Sequence, residues 1–502
     1  MDQPPITIVI AGGGTAGWMT AAAFSRFLSK GFRIRLVESE EIGTVGVGEA
    51  TIPQIRVFNQ ALGFDEDAFM RATQATFKLA IEFVGWSREG ERYMHAFGDV
   101  GRDSGLLAFH HTWLRARREG VAGPLANYSL NNMAALDDRM QRGPARTARA
   151  LPELPYAFHF DAALYAAFLR RYAEARGVER IEGRIQAVEQ DAATGDVTAL
   201  QMADGAHVRG DLFIDCTGFR ALLIGETMGS AYEDWTHHLP CDRALAVPST
   251  RVAAFTPYTR ATAHGAGWRW RIPLQHRTGN GHVFSGRHMS DDEATALLLA
   301  QVEGELVTDP MPVPFRTGVR RDIWRHNVLA VGLSSGFIEP LESTAIHLIY
   351  RGMDFFARFM PDRSCAPELQ REYNRRMIAD YEEIRDFVVL HYCLTRRDDT
   401  AFWREYAVME PPATLAERIA LFRVNGTLAE GVDELFRAVS WQSVMDGMGV
   451  RPRSHHPAMD RLDAPDLPGE LDRAADSLAR AAERAPAHGR FIAEHCAAPS
   501  PT

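Results

Sequence analysis

Of the 55 Lys and Arg residues in this 502-residue chain, only two are lysines, Lys30 and Lys78. Arginine keeps its charge on a delocalised guanidinium at any working pH, whereas a desolvated lysine amine can lose its proton and act as nucleophile or proton relay. A chain that uses arginine almost everywhere therefore singles out the amine at position 78. In the stretch FKLAIEFVGW, strand periodicity puts Phe77, Leu79, Ile81 and Phe83 on one face and Lys78, Ala80 and Glu82 on the other. The alternation also allows a plainer reading, in which Lys78 is one charge on a strand face that meets water.

A second chemistry is written near the N-terminus. The apolar run ITIVIA leads into AGGGTAGW, the helix-forming stretch that follows ends near Lys30, and RIRLVESE reads as another strand ending at Glu38. Residues 6–39 thus form a βαβ fingerprint in which Gly12, Gly14 and Gly17 occupy the Gly-x-Gly-x-x-Gly positions, with Thr15 and Ala16 between. The first glycine permits the turn, the second lets backbone approach a pyrophosphate, and the third lets helix pack on strand. Glu38 follows at about the 20-residue spacing suited to a ribose hydroxyl. NAD and FAD both use such a unit, and no second dinucleotide fingerprint follows it.

Two more stretches matter. GWRWRIP (267–273) places Trp268 and Trp270 two apart, which by itself could be an ordinary strand face. FIEPLESTAIHLIY (337–350) puts Glu342 just before a helix, where Glu342 or Ser343 could cap it. Together with GGGTAGW and the Phe77–Lys78 pair, these stretches resemble the flavin-dependent halogenases of the tryptophan and indole type. The resemblance is strong from residue 6 to about 350 and weaker beyond. Trp268, Trp270, Ile272 and Pro273 match the W-x-W-x-I-P signature that separates these enzymes from flavin hydroxylases.

The resemblance implies an activity and a set of roles. Reduced FAD (FADH2) and oxygen turn a halide ion, chloride or bromide, into hypohalous acid. This acid travels to a lysine beside an electron-rich aromatic, and Lys78 matches that lysine. An un-ionised amine could be N-halogenated and an ammonium could orient the acid, and arginine would serve neither role in the same geometry. Glu342 matches the carboxylate that polarises the donor or takes the proton from the ring; Glu339 is the less suited acid. Backbone amides at Thr344 and Ala345 match the halide site, although tryptophan-specific relatives tend to carry glycine at the second position. The cofactor contacts fall on Gly12, Gly14, Thr15, Ala16, Gly17, Glu38, Gly332 and, in a strap over residues 44–53, on Gly48, Glu49 and Ala50; the strap can equally be a plain glycine-rich loop. His95, Phe97 and Trp441 match the aromatic substrate pocket, with a structural role open for the histidine. The late stretch FRAVSWQSVMDGMG lacks the tyrosine pair expected for clamping free tryptophan, which favours a simpler indole or another electron-rich aromatic.

The expected fold is α/β: an FAD-binding Rossmann-like domain of the glutathione-reductase and p-hydroxybenzoate-hydroxylase type, with a substrate-side β-sheet and a helical C-terminal subdomain. Residues 1–365 form the FAD-binding and halogenation module. Strands through DLFIDCTG and NVLAVGLSSGF return to the first sheet, a helical subdomain spans 366–450, and a peripheral tail with a short helix near 469–484 covers 451–502. Tyr373, Tyr381, Phe387 and Tyr392 read as helical core. A formal charge of −10 opposes nucleic-acid binding. The five scattered cysteines suggest reduced thiols, with no metal site. No apolar run reaches membrane-spanning length, so a cytoplasmic protein with no membrane partner is expected. The expected partners are a small aromatic substrate and a separate NAD(P)H-dependent flavin reductase, with a homodimer among the assemblies allowed. An FAD-dependent aromatic hydroxylase and a non-catalytic flavin-binding redox protein are the competing readings.

Overall fold

The computed structural model describes residues 4–28, 31–41, 48–103, 107–143, 153–252, 255–461 and 464–499. Lys30 and residues 44–47 of the expected strap lie outside the described residues. Two compact units interleave along the chain: Met1–Ala75, Phe160–His237 and Pro314–Glu382 make one, and Thr76–His159, His238–Val313 and Glu383–Thr502 the other. The boundaries near 365 and 450 expected from composition follow the chain order, whereas these units follow the pairing of strands distant in sequence.

The first unit is built on a six-stranded sheet ordered Trp324–Arg325, Val328–Ala330, Leu212–Asp215, Ile6–Ala11, Phe32–Glu38 and Glu179–Glu182. All neighbours are parallel except the edge pair Trp324–Arg325 with Val328–Ala330. Ile8, Val9, Ile10 and Ala11 are fully buried, which explains an unbroken apolar run where a one-sided strand would alternate. The helix Thr15–Phe27 crosses from the first strand to the second, and the late strands join the sheet as the sequence predicts. The helix Ala162–Glu174 starts at Asp161, whose carboxylate accepts from the amides of Ala163 and Leu164.

The second unit carries a seven-stranded sheet ordered Met311–Pro314, Arg243–Thr250, Arg277–Phe284, Gly267–Pro273, Tyr258–His264, Ala80–Val84 and Arg92–Ala96. Ala80–Val84 runs parallel to Tyr258–His264 and antiparallel to Arg92–Ala96. A separate short strand, Thr76–Lys78, pairs with Ala157–Asp161, placing Lys78 opposite Ala157. The water-facing reading of this stretch is overturned. Lys78 and Ala80 are fully buried, and Glu82 is 3% exposed while accepting from Arg260 Nε at 2.6 Å. Helices and loops cover both faces, so strand alternation here separates two interiors.

The signature strand is core as well. Trp268 and Trp270 are buried, their rings 6.1 Å apart, and Trp268 meets Trp86 at 6.3 Å. Trp270 fits only because residue 281 across the strand pair is glycine, where a Cβ would stand 1.9 Å from the indole. Late helices span Pro367–Cys393, Ala401–Tyr406, Ala413–Asn425 and Ala438–Gly447. Tyr373, Tyr381, Phe387 and Tyr392 are buried, as their spacing predicts. Leu467–Arg484 and His488–His495 follow. Gly281→Ala should destabilise the protein by about 1–3 kcal/mol through overpacking against Trp270, read as a shift in denaturation midpoint at unchanged m-value.

Candidate functional site

The residues singled out by sequence divide between the two units. In the first, the turn after Ile6–Ala11 depends on close backbone approach. Gly12 has φ +107°, and a Cβ there would lie 2.3 Å from the Cys216 carbonyl oxygen; a Cβ on Gly17 would lie 1.9 Å from the Gly12 carbonyl oxygen. Gly14 differs. It precedes the helix Thr15–Phe27, no side chain caps that helix end, and a Cβ on Gly14 would meet nothing within 4 Å. The open face of Gly14 and the unpaired amides of the first helical turn, which includes Thr15 and Ala16, fit a pyrophosphate. Gly332, at φ +76°, brings a late loop against this helix, where a Cβ would stand 2.8 Å from Ala16 Cβ.

Glu38 stands over the same turn. Its carboxylate accepts from Trp18 Nε1 at 3.1 Å and Arg180 Nε at 2.5 Å, with Arg170 at 3.6 Å. These three holders escaped the sequence reading, since Arg180 arrives on a strand paired in parallel far along the chain. Asp215 was missed too. Fully buried at the end of Leu212–Asp215, it accepts from the Thr217 amide and hydroxyl and from the amides of Leu223 and Ile224, fixing the loop whose Cys216 carbonyl faces Gly12. Burial still leaves its carboxyl above the usual range. Of the strap, Gly48–Ala50 is a short strand, and burial pushes the half-buried Glu49 up to about 7.

Glu342 closes a single 3-10 turn, Pro340–Glu342, and is 2% exposed; Glu339 is fully buried. Ser343 follows with φ +61°, and the helix Ala345–Arg358 begins after Thr344 without a side-chain cap. Neither Glu342 nor Ser343 is therefore the cap, because the left-handed residue turns the chain before the helix starts. The Thr344 side chain makes no capping bond to the first amides of this helix, and a helix N-terminus of this kind suits a small anion.

In the second unit, the Lys78 ammonium lies 5.5 Å from the centre of the Phe97 ring, within cation–π range. His95 is buried against Phe387 at 5.4 Å and Phe436 at 6.4 Å. Phe387 in turn stacks on Phe436 and meets Trp441 edge-on at 4.8 Å. Trp441 donates its indole N–H to the Phe436 carbonyl at 3.0 Å, while the Arg418 guanidinium sits 4.2 Å above its ring. His95 and Trp441 thus belong to one aromatic cluster, and Phe97 to the lysine.

Two histidines beside Lys78 gave no sequence signal. His159 is fully buried, with Nδ1 3.1 Å from the Thr76 hydroxyl and Nε2 2.9 Å from the Thr259 hydroxyl. Burial, then the charge of Lys78, hold its pKa well below the usual imidazole range. His488, in a region expected from sequence to be peripheral, is 1% exposed and accepts the Phe77 amide through Nε2 at 3.2 Å. Burial pulls its pKa down to about 4.

A glycine turn on a parallel sheet, with an acid held over it, marks the first unit as a dinucleotide-binding module. The tryptophan halogenase family pattern matches residues 7–464, and the chain belongs to that family. It is similar to tryptophan 6-halogenase SttH of Streptomyces toxytricini, at 34% identity over 91% of this chain and 92% of that one. Its fold matches Xcc4156, a flavin-dependent halogenase from Xanthomonas campestris, with TM-score 0.96 and 47% identity over 100% of both chains. It also matches BrvH, a flavin-dependent halogenase from Brevundimonas sp. BAL3, with TM-score 0.93 and 44% identity over 99% and 100% of the two chains. The chain is accordingly a flavin-dependent halogenase, an oxidoreductase, and the hydroxylase and non-catalytic readings give way.

Two predictions test the cradle. Gly17→Ala should cost more than about 2 kcal/mol, because the methyl displaces a backbone carbonyl, whereas Gly14→Ala should leave flavin-free stability within about 1 kcal/mol and weaken FAD binding. Thermal melts and FAD titration separate the two. Glu49 is raised in the folded state, so the unfolded chain binds fewer protons between pH 4.5 and about 7 and stability falls as pH rises through that window. Glu49→Gln should remove that decline, no more than about 3 kcal/mol, in denaturation of the flavin-free protein at pH 5 and pH 8.

Proposed function

We propose that this chain halogenates an indole or a similar electron-rich aromatic, using FADH2 delivered by a separate NAD(P)H-dependent reductase, with Lys78 and Glu342 as its catalytic residues. The observation that carries this reading is a lysine buried to 0% exposure in a chain with only one other lysine among its 55 Lys and Arg residues. Gly12–Gly17, Glu38, Gly332 and the strap residues Gly48–Ala50 would hold the flavin, which when bound in its reduced form would supply, with dioxygen, the two-electron oxidant that makes halide electrophilic. Thr344 and Ala345 would offer their amides to the halide. Lys78 Nζ would receive hypohalous acid and present its halogen to the ring carbon, either bonded to nitrogen or hydrogen-bonded to the ammonium. The Glu342 carboxylate would take the proton released as the ring regains aromaticity, so that aromatic C–H and hypohalous acid become aromatic C–halogen and water. His95, Phe97 and Trp441 would wall the pocket.

The relative SttH is by name a tryptophan 6-halogenase. For this chain a simpler indole is the better reading, supported by the packing of the 436–449 region. Trp441 there has its N–H spent on Phe436 and one face under Arg418, leaving it a wall with no free donor. Among the described residues no helix is long and apolar enough to cross a membrane. No disulfide joins the five cysteines among the described residues, which supports a reducing, cytoplasmic location.

Lys78→Ala and Glu342→Gln should fold and bind FAD within about two-fold of wild type while losing at least 100-fold in product formation. Lys78→Arg keeps the charge and loses the amine, and should be equally inactive. The assay is mass spectrometry of indole incubated with protein, FAD, a flavin reductase, NADH, oxygen and bromide or chloride, with a scavenger for free hypohalous acid. An enzyme-dependent halogen isotope pattern is expected. Wild-type turnover in either loss-of-function variant would remove the role assigned to that residue.

A further inference from the structure

The Lys78 strand is short, Thr76–Lys78, and its amine is useful only if backbone and side chain are held still. Three hydrogen bonds determine how. Thr76 has a single hydroxyl proton, and it is donated to the Pro273 carbonyl at 2.7 Å. The Thr76 oxygen can then only accept from His159, so Nδ1 of His159, 3.1 Å away, carries a proton. A neutral imidazole has just one, so Nε2 is bare and accepts from the Thr259 hydroxyl at 2.9 Å. The chain of donors runs in one direction, from Thr259 through His159 and Thr76 to the carbonyl of the proline that ends W-x-W-x-I-P.

The next residue is held from elsewhere. The Phe77 amide donates to His488 Nε2 at 3.2 Å, and the opposite nitrogen, Nδ1, lies 3.0 Å from the Phe255 carbonyl oxygen, which can only accept. His488 is therefore also neutral, with its proton on Nδ1. Thr76, His159 and His488 are each no more than 1% exposed, and Thr259 is 5% exposed. The Phe77 amide and the Phe255 carbonyl thus fix the tautomer of His488, while Thr76 fixes a proton on Nδ1 of His159 and leaves Nε2 bare in the neutral ring.

We propose that His159, acting through Thr76, and His488, acting on the Phe77 amide, are a pair of neutral positioning residues that fix the strand carrying Lys78 and link it to the signature proline. The pair does two things that a hydrophobic contact could not. It satisfies two buried polar groups next to the lysine, each costly if left open. It also fills the space beside a buried cation without adding positive charge. The charges facing His159 are Lys78 from its own strand pair and Arg271 from the signature strand, both basic, while His488 from the C-terminal helix is neutral, so a protonated imidazole would be repelled by both cations. The signature's last residue joins this network through its backbone: the Pro273 carbonyl accepts from Thr76, and the sheet pairing of its strand aims that oxygen.

The proposal rests on the assignment of Lys78 as the halogenating amine, and its test separates the two. The proteins are full-length Thr76→Val, Thr76→Ser, His488→Leu and His488→Gln. Valine keeps the shape of threonine and loses its hydroxyl, serine restores the hydroxyl, leucine loses the acceptor, and glutamine places an amide oxygen near the position of Nε2. Two quantities are read: amide hydrogen exchange of peptides covering 76–78, and halogenated indole formed per equivalent of bromide oxidised, with a scavenger capturing the remainder. Thr76→Val and His488→Leu should each exchange at least ten-fold faster over 76–78 and lose at least ten-fold in product per bromide oxidised, about 1.4 kcal/mol, with FAD affinity kept. Thr76→Ser and His488→Gln should restore both. If His488→Leu fails to fold, Thr76→Val, in which only a hydroxyl is removed, decides the matter alone. Wild-type exchange and product ratio in Thr76→Val overturn the proposal. Product formation by Lys78→Ala overturns the lysine assignment and leaves the exchange prediction standing on its own.

Discussion

Burying an amine with no exposure to water is the constraint on which the second unit is organised. An ammonium removed from water is expensive, and the cost is tolerable only where its surroundings provide π-density, hydrogen bonds or neutralisation and no further positive charge. The Phe97 ring 5.5 Å from Lys78 Nζ meets the first demand. The neighbouring His159, neutral and bonded at both nitrogens, meets the last. Around them the sheet is covered on both faces, which is why even Glu82, whose strand position would ordinarily face solvent, is paired with Arg260. The lysine therefore sets the polarity pattern of its surroundings, and the tryptophans of the signature strand complete the shielding further along the sheet.

The first unit solves a different problem, bringing backbone close to a large anion. Its solution lies in what is missing: side chains at Gly12 and Gly17, where carbonyl oxygens press in, and a side chain at Gly14, where space is left open. Asp215 supports the arrangement from below by gathering four donors into one buried carboxylate and so fixing the loop that faces Gly12. A cradle made of backbone makes no use of side-chain chemistry, so the same scaffold can serve enzymes that differ in what they do with the cofactor.

How much of this could be read from sequence depended on the range of the interaction. The βαβ unit, the crossover helix and the acid at its end are local, so spacing alone located them. The packing role of Tyr373, Tyr381, Phe387 and Tyr392 also followed from helical periodicity. Lys78 stood out through composition, yet its parity suggested water, because alternation cannot tell one buried face from two. The groups that hold Glu38 and the Lys78 strand were hidden. Arg180 reaches Glu38 from a parallel strand, and His159 and His488 reach the lysine strand from opposite ends of the second unit's sequence. Histidines in strands and short helices carry no local mark of such a role. The cap of the helix after Glu342 was misread for a related reason: a left-handed Ser343 delays the helix start, and sequence gives no sign of that turn.

His488 lies 411 residues from the amide it receives. The nucleotide cradle, by contrast, can assemble its turn, helix and second strand from fewer than about 40 consecutive residues. Loop closure over so long a span must come after the intervening strands have paired. Folding of this chain should therefore pass through a stage at which the cofactor cradle is formed and the lysine strand still lacks one of its hydrogen bonds. Settling of the strand that carries the proposed halogenating amine is then the late event, complete only when the most distant segment has docked.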